Sequence, residues 1–91
     1  MDEEGVMAEE LVGKVVKFFS QPSVAAIEIT SGRLRVGNKI RITGHTTDFE
    51  DTVDSMQIEK ESIEEAEPGF LVGVKVKERV REGDKVFKVK E

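Results

Sequence analysis

Between Ser31 and Gly44 the chain reads Ser-Gly-Arg-Leu-Arg-Val-Gly-Asn-Lys-Ile-Arg-Ile-Thr-Gly. Two Gly-containing turns here each feed a short segment in which charged and aliphatic residues alternate. A period of two puts Arg33 and Arg35 on one face, with Leu34 and Val36 on the other. It likewise separates Lys39 and Arg41 from Ile40 and Ile42. Only a β-strand with one wet and one buried face uses that pattern. The same local writing returns near the C-terminus, where Arg81-Glu-Gly-Asp-Lys-Val echoes Arg35-Val-Gly-Asn-Lys-Ile. The echo is one turn solution used twice, a Gly-Asx turn opening a strand, and not a duplicated domain.

The rest of the chain follows suit. Leu11–Phe19 is rich in β-branched and aromatic residues and reads as the first strand. Gln21-Pro22-Ser23 ends it, because Pro cannot donate into a central ladder. Val24–Thr30 is the second strand and Lys39–Thr43 the third. Gly44–Thr52 reads as a polar loop. Val53–Glu59 is a fourth strand with Met56 and Ile58 inward. Ser62-Ile-Glu-Glu65 has the form of a helix capping box, with room for at most one turn before Pro68-Gly69. Phe70–Lys77 is a fifth strand, Val80–Lys85 a turn and Val86–Val89 the last strand. Short strands with regular turn signals predict an all-β fold, a small closed antiparallel six-stranded β-barrel, since closure removes the exposed edges of a short sheet.

Ninety-one residues make one domain. Residues 1–10 carry five acidic and no basic groups and read as a flexible acidic tail ahead of a single domain, 11–91. The acidic start lacks the basic n-region of a secretory signal, and no apolar run reaches membrane-span length. With no Cys there is neither a disulfide framework nor a thiolate metal site. These features fit a cytoplasmic protein without membrane contact. Abundant Lys and Glu with little Asn and Gln is a composition associated with hyperthermophiles. The net charge of −5 conceals segregation: residues 11–44 hold six basic groups against Glu28, whereas residues 45–67 hold nine acidic groups against Lys60.

Gly13-Lys-Val, Gly32-Arg-Leu-Arg-Val-Gly-Asn-Lys-Ile-Arg-Ile, Ala66-Glu-Pro-Gly-Phe-Leu-Val-Gly-Val and Arg81-Glu-Gly-Asp-Lys-Val-Phe-Lys-Val together resemble domain 2 of translational GTPases of the elongation factor Tu type. The resemblance runs from about Leu11 to Lys90. It implies the barrel fold, and a role in translation in contact with tRNA or ribosomal RNA. Phe70 and Leu71 depart from it, standing where that family usually has polar residues after Pro-Gly. The chain has no Gly-x-x-x-x-Gly-Lys-Ser/Thr phosphate loop and no Asn-Lys-x-Asp segment, so it does not bind GTP. A similar barrel also occurs as an appended module in collagenase-like peptidases and tRNA-modifying enzymes.

Candidate site residues follow. Arg33, Arg35, Lys39, Arg41, Lys75 and Lys77 would form one positive surface if their strands neighbour each other, a phosphate-contacting patch for RNA or the ribosome. The competing reading is an ordinary solvated face paired with the many carboxylates. No aromatic residues are interleaved for base stacking. Phe70 is either an exposed anchor for a protein partner or a core residue. His45, near Asp48, Glu50 and Asp51, lacks a second His or Cys to complete a metal set. No serine sits with a base and an orienting group as nucleophilic catalysis requires. The sequence therefore predicts a non-enzymatic, cofactor-free and metal-free RNA-binding module linked to translation. Its alternative is a protein–protein adaptor that completes a translation factor or RNA-modifying enzyme through Phe70 and the Pro68-Gly69 turn.

Overall fold

The computed structural model describes residues 8–90. Ten strands follow in chain order: β1 (Ala8–Phe19), β2 (Val24–Ile29), β3 (Leu34–Arg35), β4 (Lys39–Thr43), β5 (Asp48–Thr52), β6 (Met56–Ile58), β7 (Glu61–Ile63), β8 (Glu65–Ala66), β9 (Leu71–Lys75) and β10 (Lys85–Lys90). Of the expected acidic tail, residues 1–7 lie outside the described residues, and Ala8–Glu10 open β1. Among the described residues there is no helix that could cross a membrane.

All-β is thus correct, but the closed six-stranded barrel is not what forms. Eight strands make one open antiparallel sheet in the order β5-β4-β10-β1-β2-β9-β6-β7, while β3 and β8 pair separately. The edge strands β5 and β7 do not join. Beside β5 the chain crosses as residues 77–81, pinned at one end by the Lys77 N–H donating to Asp51 Oδ2 (2.9 Å) and at the other by Arg81 Nε donating to Thr46 Oγ1 (3.0 Å). Between those pins Val80 is buried. A side-chain-anchored strap therefore covers the edge that a closing ladder would have removed.

The core follows the predicted alternation except at Val36, which is 40% exposed. Ala25, Ile27 and Ile29 of β2 are buried, as are Ile40 and Ile42 of β4 and Val72 and Val74 of β9. They meet Val12, Val15, Leu34, Val53, Met56 and Val86 in one cluster, with Phe18, Phe49, Ile58 and Ile63 partly buried around it. A domain of this size has a stability of roughly 5–14 kcal/mol. Truncating the fully buried Ile27 to Ala, at about 2–5 kcal/mol, would remove a large share of it.

The repeated Gly-Asx writing is the same turn twice. Asn38 N–H donates to Arg35 C=O (3.1 Å), and Asn38 Oδ1 accepts from Arg35 N–H (2.8 Å). Asp84 N–H donates to Arg81 C=O (3.0 Å), and Asp84 Oδ2 accepts from Arg81 N–H (2.9 Å). Gly37 and Gly83 take φ of 98° and 92° at the third turn position, where a type II turn needs the left-handed half of the map. The two copies differ in burial: Asn38 is half-buried, whereas Asp84 is buried and packs against Gly44.

Two local expectations are corrected. Asp48–Thr52, read as loop, is strand β5, because each of its residues pairs with β4 and its outward carboxylates face β4 cations. The Ser62–Glu65 capping box does not start a helix. Residues 61–63 form β7 in a hairpin with β6, with Glu59 (φ 50°) and Lys60 (φ 71°) both left-handed at its tip. That is the geometry of a two-residue type I′ turn, which favours Gly and Asn.

Candidate functional site

The strands that carry or adjoin the six candidate cations are not hydrogen-bonded neighbours: β3 pairs with β8 outside the large sheet, and β4 and β9 are not adjacent within it. Arg33 lies between β2 and β3, with Nη1 at 3.4 Å from Glu65 Oε2 and Nη2 at 3.8 Å from Glu67 Oε2. Arg35 is exposed in β3, directly opposite Glu65 in the β3–β8 pair. In the large sheet, β4 and β9 are separated by β10, β1 and β2 and are not hydrogen-bonded neighbours.

Arg41 is the most constrained of the six. Its Nε donates to Asp48 Oδ1 (3.0 Å), its Nη2 to Asp48 Oδ2 (3.1 Å) and its Nη1 to Glu9 Oε2 (3.1 Å). The side-chain hydrogen bond to Asp48, and after it the one to Glu9, raises its already high pKa further. The same bond from Arg41 holds the Asp48 carboxyl below its usual range. A bidentate guanidinium flanked by two carboxylates has its planar fork already filled, so a phosphate would have to displace them.

Lys39, Lys75 and Lys77 do converge, beside the strap. A cleft of about 270 Å³ is lined by Lys39, Lys77, Glu50, Asp51 and Thr52. A smaller one of about 150 Å³ adjoins it, lined by Lys75, Lys77, Val76, Asp51 and Asp54. Each lysine-lined cleft also carries carboxylates, and Asp51 belongs to both. The charge there is mixed, which suits neither a phosphate chain nor a strongly acidic ligand.

Phe70 is 37% exposed. Its backbone is fixed in a Pro-Gly turn: Phe70 N–H donates to Glu67 C=O (3.0 Å), Gly69 N–H to Ile29 C=O (2.8 Å), and Phe70 C=O accepts from Ile29 N–H (2.9 Å). His45 is exposed in the β4–β5 turn. Among the described residues no group of three His, Cys, Asp or Glu side chains gathers as a metal set would require.

The residues that sequence reasoning missed lie elsewhere. Val24, Ala26 and Leu71 point away from the core, since their strand neighbours Ala25, Ile27 and Val72 are buried. Phe19 (46% exposed) and Leu11 (41%) add to the exposed apolar surface, and Leu71 is 55% exposed. The signal was present in β2 and β9, whose Val-Ala-Ala-Ile and Leu-Val-Gly-Val lack the polar alternation seen in β4.

Comparison with known proteins redirects the functional reading. No family model matches the chain. An uncharacterized protease of Methanocaldococcus jannaschii is 46% identical over 81 residues, which is 88% of this chain and 20% of that protein. A collagenase of Porphyromonas gingivalis is 41% identical over 78 residues, 85% of this chain and 22% of that protein. The chain thus spans about a fifth of the length of the curated relatives it matches. A crystal structure of the C-terminal domain of a Geobacillus thermoleovorans protein assigned to the U32 peptidases superposes with a TM-score of 0.80 at 20% identity, covering 87% of this chain and 91% of that one.

These findings overturn the translation-factor resemblance, and with it the RNA- or ribosome-binding function and the adaptor for a translation factor or RNA-modifying enzyme. Gly-Asx and Pro-Gly turns between alternating strands are shared by small β-modules of unlike parentage, so they carried the fold without the function. The ion pairs of Arg33 and Arg41 with carboxylates agree with the correction. In sequence the chain is similar to one-fifth of proteins named as a protease and a collagenase, and in fold it is similar to the C-terminal domain of a U32-type peptidase.

Proposed function

We propose that this chain is the accessory β-module of a collagenase-like peptidase of the U32 type, and that peptide-bond chemistry resides in the part of such proteins outside the match. One observation carries the reading: 41–46% identity spans 85–88% of this chain but only about a fifth of each relative. The surface of the described residues supports a non-catalytic role. The Ser23 and Ser31 hydroxyls donate to the backbone carbonyls of Val76 and Leu11, and the clefts beside the strap are of mixed charge.

The test is a chimera in which this chain replaces the matching 81 residues of the M. jannaschii protease. Hydrolysis of gelatin and of a fluorogenic peptide is compared for the chimera, the relative lacking that segment, and this chain alone. The chimera should hydrolyse substrate, the truncated relative should do so more weakly, and this chain should not. Hydrolysis by this chain alone would refute the non-catalytic assignment. Full activity of the truncated relative would refute the accessory role.

A further inference from the structure

A strand with one face in a core and one in water alternates apolar with polar residues, whereas a strand covered on both faces reads as a continuous apolar run. β4 obeys the first rule, with Lys39 and Arg41 outward. β2 and β9, hydrogen-bonded neighbours, approach the second over Val24–Ile27 and Leu71–Val74, with a charged residue only at Glu28 and Lys75. Their outward positions are Val24, Ala26 and Glu28 on β2 and Leu71, Gly73 and Lys75 on β9. Ala26 pairs with Gly73, and a Cβ on Gly73 would lie 3.3 Å from Val24 Cγ1, so the small residues of the floor fit closely beneath Val24. Phe19 of β1 pairs with Val24 and extends the floor at one end, and the exposed Leu11 of β1 lies toward the other.

The dimensions suit an interface within a longer protein. Three strands at about 4.8 Å spacing and six residues at about 3.3 Å give a face on the order of 300 Å². Interfaces between domains of one chain bury about 600–1,500 Å² in total, or roughly 300–750 Å² on each side. The rim is cationic. Lys14, Lys17 and Lys75 surround the floor with Glu28 as the carboxylate among them, 4.0 Å from Lys14 Nζ.

We propose that the outward face of β2 and β9, with Phe19 and Leu11 of β1, is where the remaining four-fifths of a peptidase like the relatives' packs against this module. The inference rests on the accessory-module reading. It commits to a partner surface with an apolar centre and an acidic margin, matching the floor and its lysines. The relatives' length supplies the occupant: a module forming a fifth of a chain has the other four-fifths to rest against.

The chain contains no cysteine, so single Cys probes can be placed freely. Leu71→Cys reports on the face, and Thr52→Cys on β5, at the far edge of the sheet, serves as control. Maleimide labelling, read by mass spectrometry on the labelled peptide, is compared in this chain alone and in the chimera. Leu71→Cys should label about tenfold or more slowly in the chimera, as for a site reached only by local opening, while Thr52→Cys keeps its rate. Adding Leu71→Glu to a Phe19→Cys chimera should restore fast labelling, with the melting temperature of the isolated variant unchanged. Equal labelling of Leu71→Cys in a hydrolytically competent chimera would overturn the docking face and leave the accessory-module reading standing. An inactive chimera with neither probe protected would overturn both. Concentration-dependent protection of Leu71→Cys in this chain alone would assign the face to self-association instead.

Discussion

The fit between Asp84 and Gly44 supports a prediction in which two substitutions must answer for one another. Asp84 is 4% exposed, its Oδ2 accepts from Arg81 N–H, and its Oδ1 occupies the space that a Cβ on Gly44 would need. Asp84→Ala orphans a backbone donor that had a charged acceptor, a loss of about 2 kcal/mol. At roughly 2.1 cal/mol/K per residue the unfolding entropy of this chain is about 0.19 kcal/mol/K, so the melting temperature should fall by about 10 °C. Asn38→Ala in the sister turn loses a bond to a neutral acceptor at a half-buried site, and should cost about 1 kcal/mol or 5 °C. Gly44→Ala overpacks against a carboxylate that cannot swing away, at about 2 kcal/mol. In the Asp84→Ala background the obstacle is gone, and the same substitution should cost less than about 0.5 kcal/mol. The assay is a double-mutant cycle by denaturant titration with constant m-values. If Gly44→Ala costs the same in both backgrounds, or if Asp84→Ala costs no more than Asn38→Ala, the reasoning fails.

Two further outcomes follow from local geometry. Lys60 holds φ at 71° without being Gly, so Lys60→Gly should stabilise by about 0.5–1 kcal/mol; a lower melting temperature would show that the tip is held by something besides backbone preference. The folded-state pKa of Asp48 is lowered, chiefly by the Arg41 hydrogen bond. The pair therefore favours folding fully above the ordinary aspartate pKa of about 3.9 and loses that contribution as pH falls through the lower folded value. Carboxyl NMR titration should show Asp48 moving back toward the ordinary range in Arg41→Gln; an unmoved titration would assign the shift elsewhere.

Much of the fold was legible because the physics is local. Leu34, Ile40 and Ile42 alternate with cations and are buried, and the paired Arg-x-Gly-Asx turns formed as read. What failed depended on contacts far along the chain. Asp48–Thr52 looks like a loop until β4 supplies Lys39 and Arg41 opposite it. Ser62–Glu65 satisfies a capping-box pattern, but Ile63 gains more by pairing with Met56 and packing on the core. The open sheet could not be foreseen, because the strap replaces ladder bonds with the side chains of Asp51 and Thr46. The surroundings of the candidate cations were illegible for a different reason. Arg33 and Arg41 were judged by their own charge, whereas their partners Glu65, Glu67, Glu9 and Asp48 lie at unrelated sequence distances. The apolar outer face was written plainly in Val24–Ile27, but it reads as core until the topology shows which side is already occupied.

The pairing of β1 with β10 brings Ala8 opposite Lys90, so the two ends of the described domain lie side by side on neighbouring strands in the middle of the sheet. A pull on the flanking chain would load that ladder as a zipper, one hydrogen-bonded rung after another, rather than shearing all rungs together. Under tension the module should yield early and from its ends inward, with low rupture force in single-molecule stretching; a high, abrupt rupture would contradict this. Tension on the flanking chain would then dissipate at the junction of the two end strands, before it reaches the packed interior around Ile27.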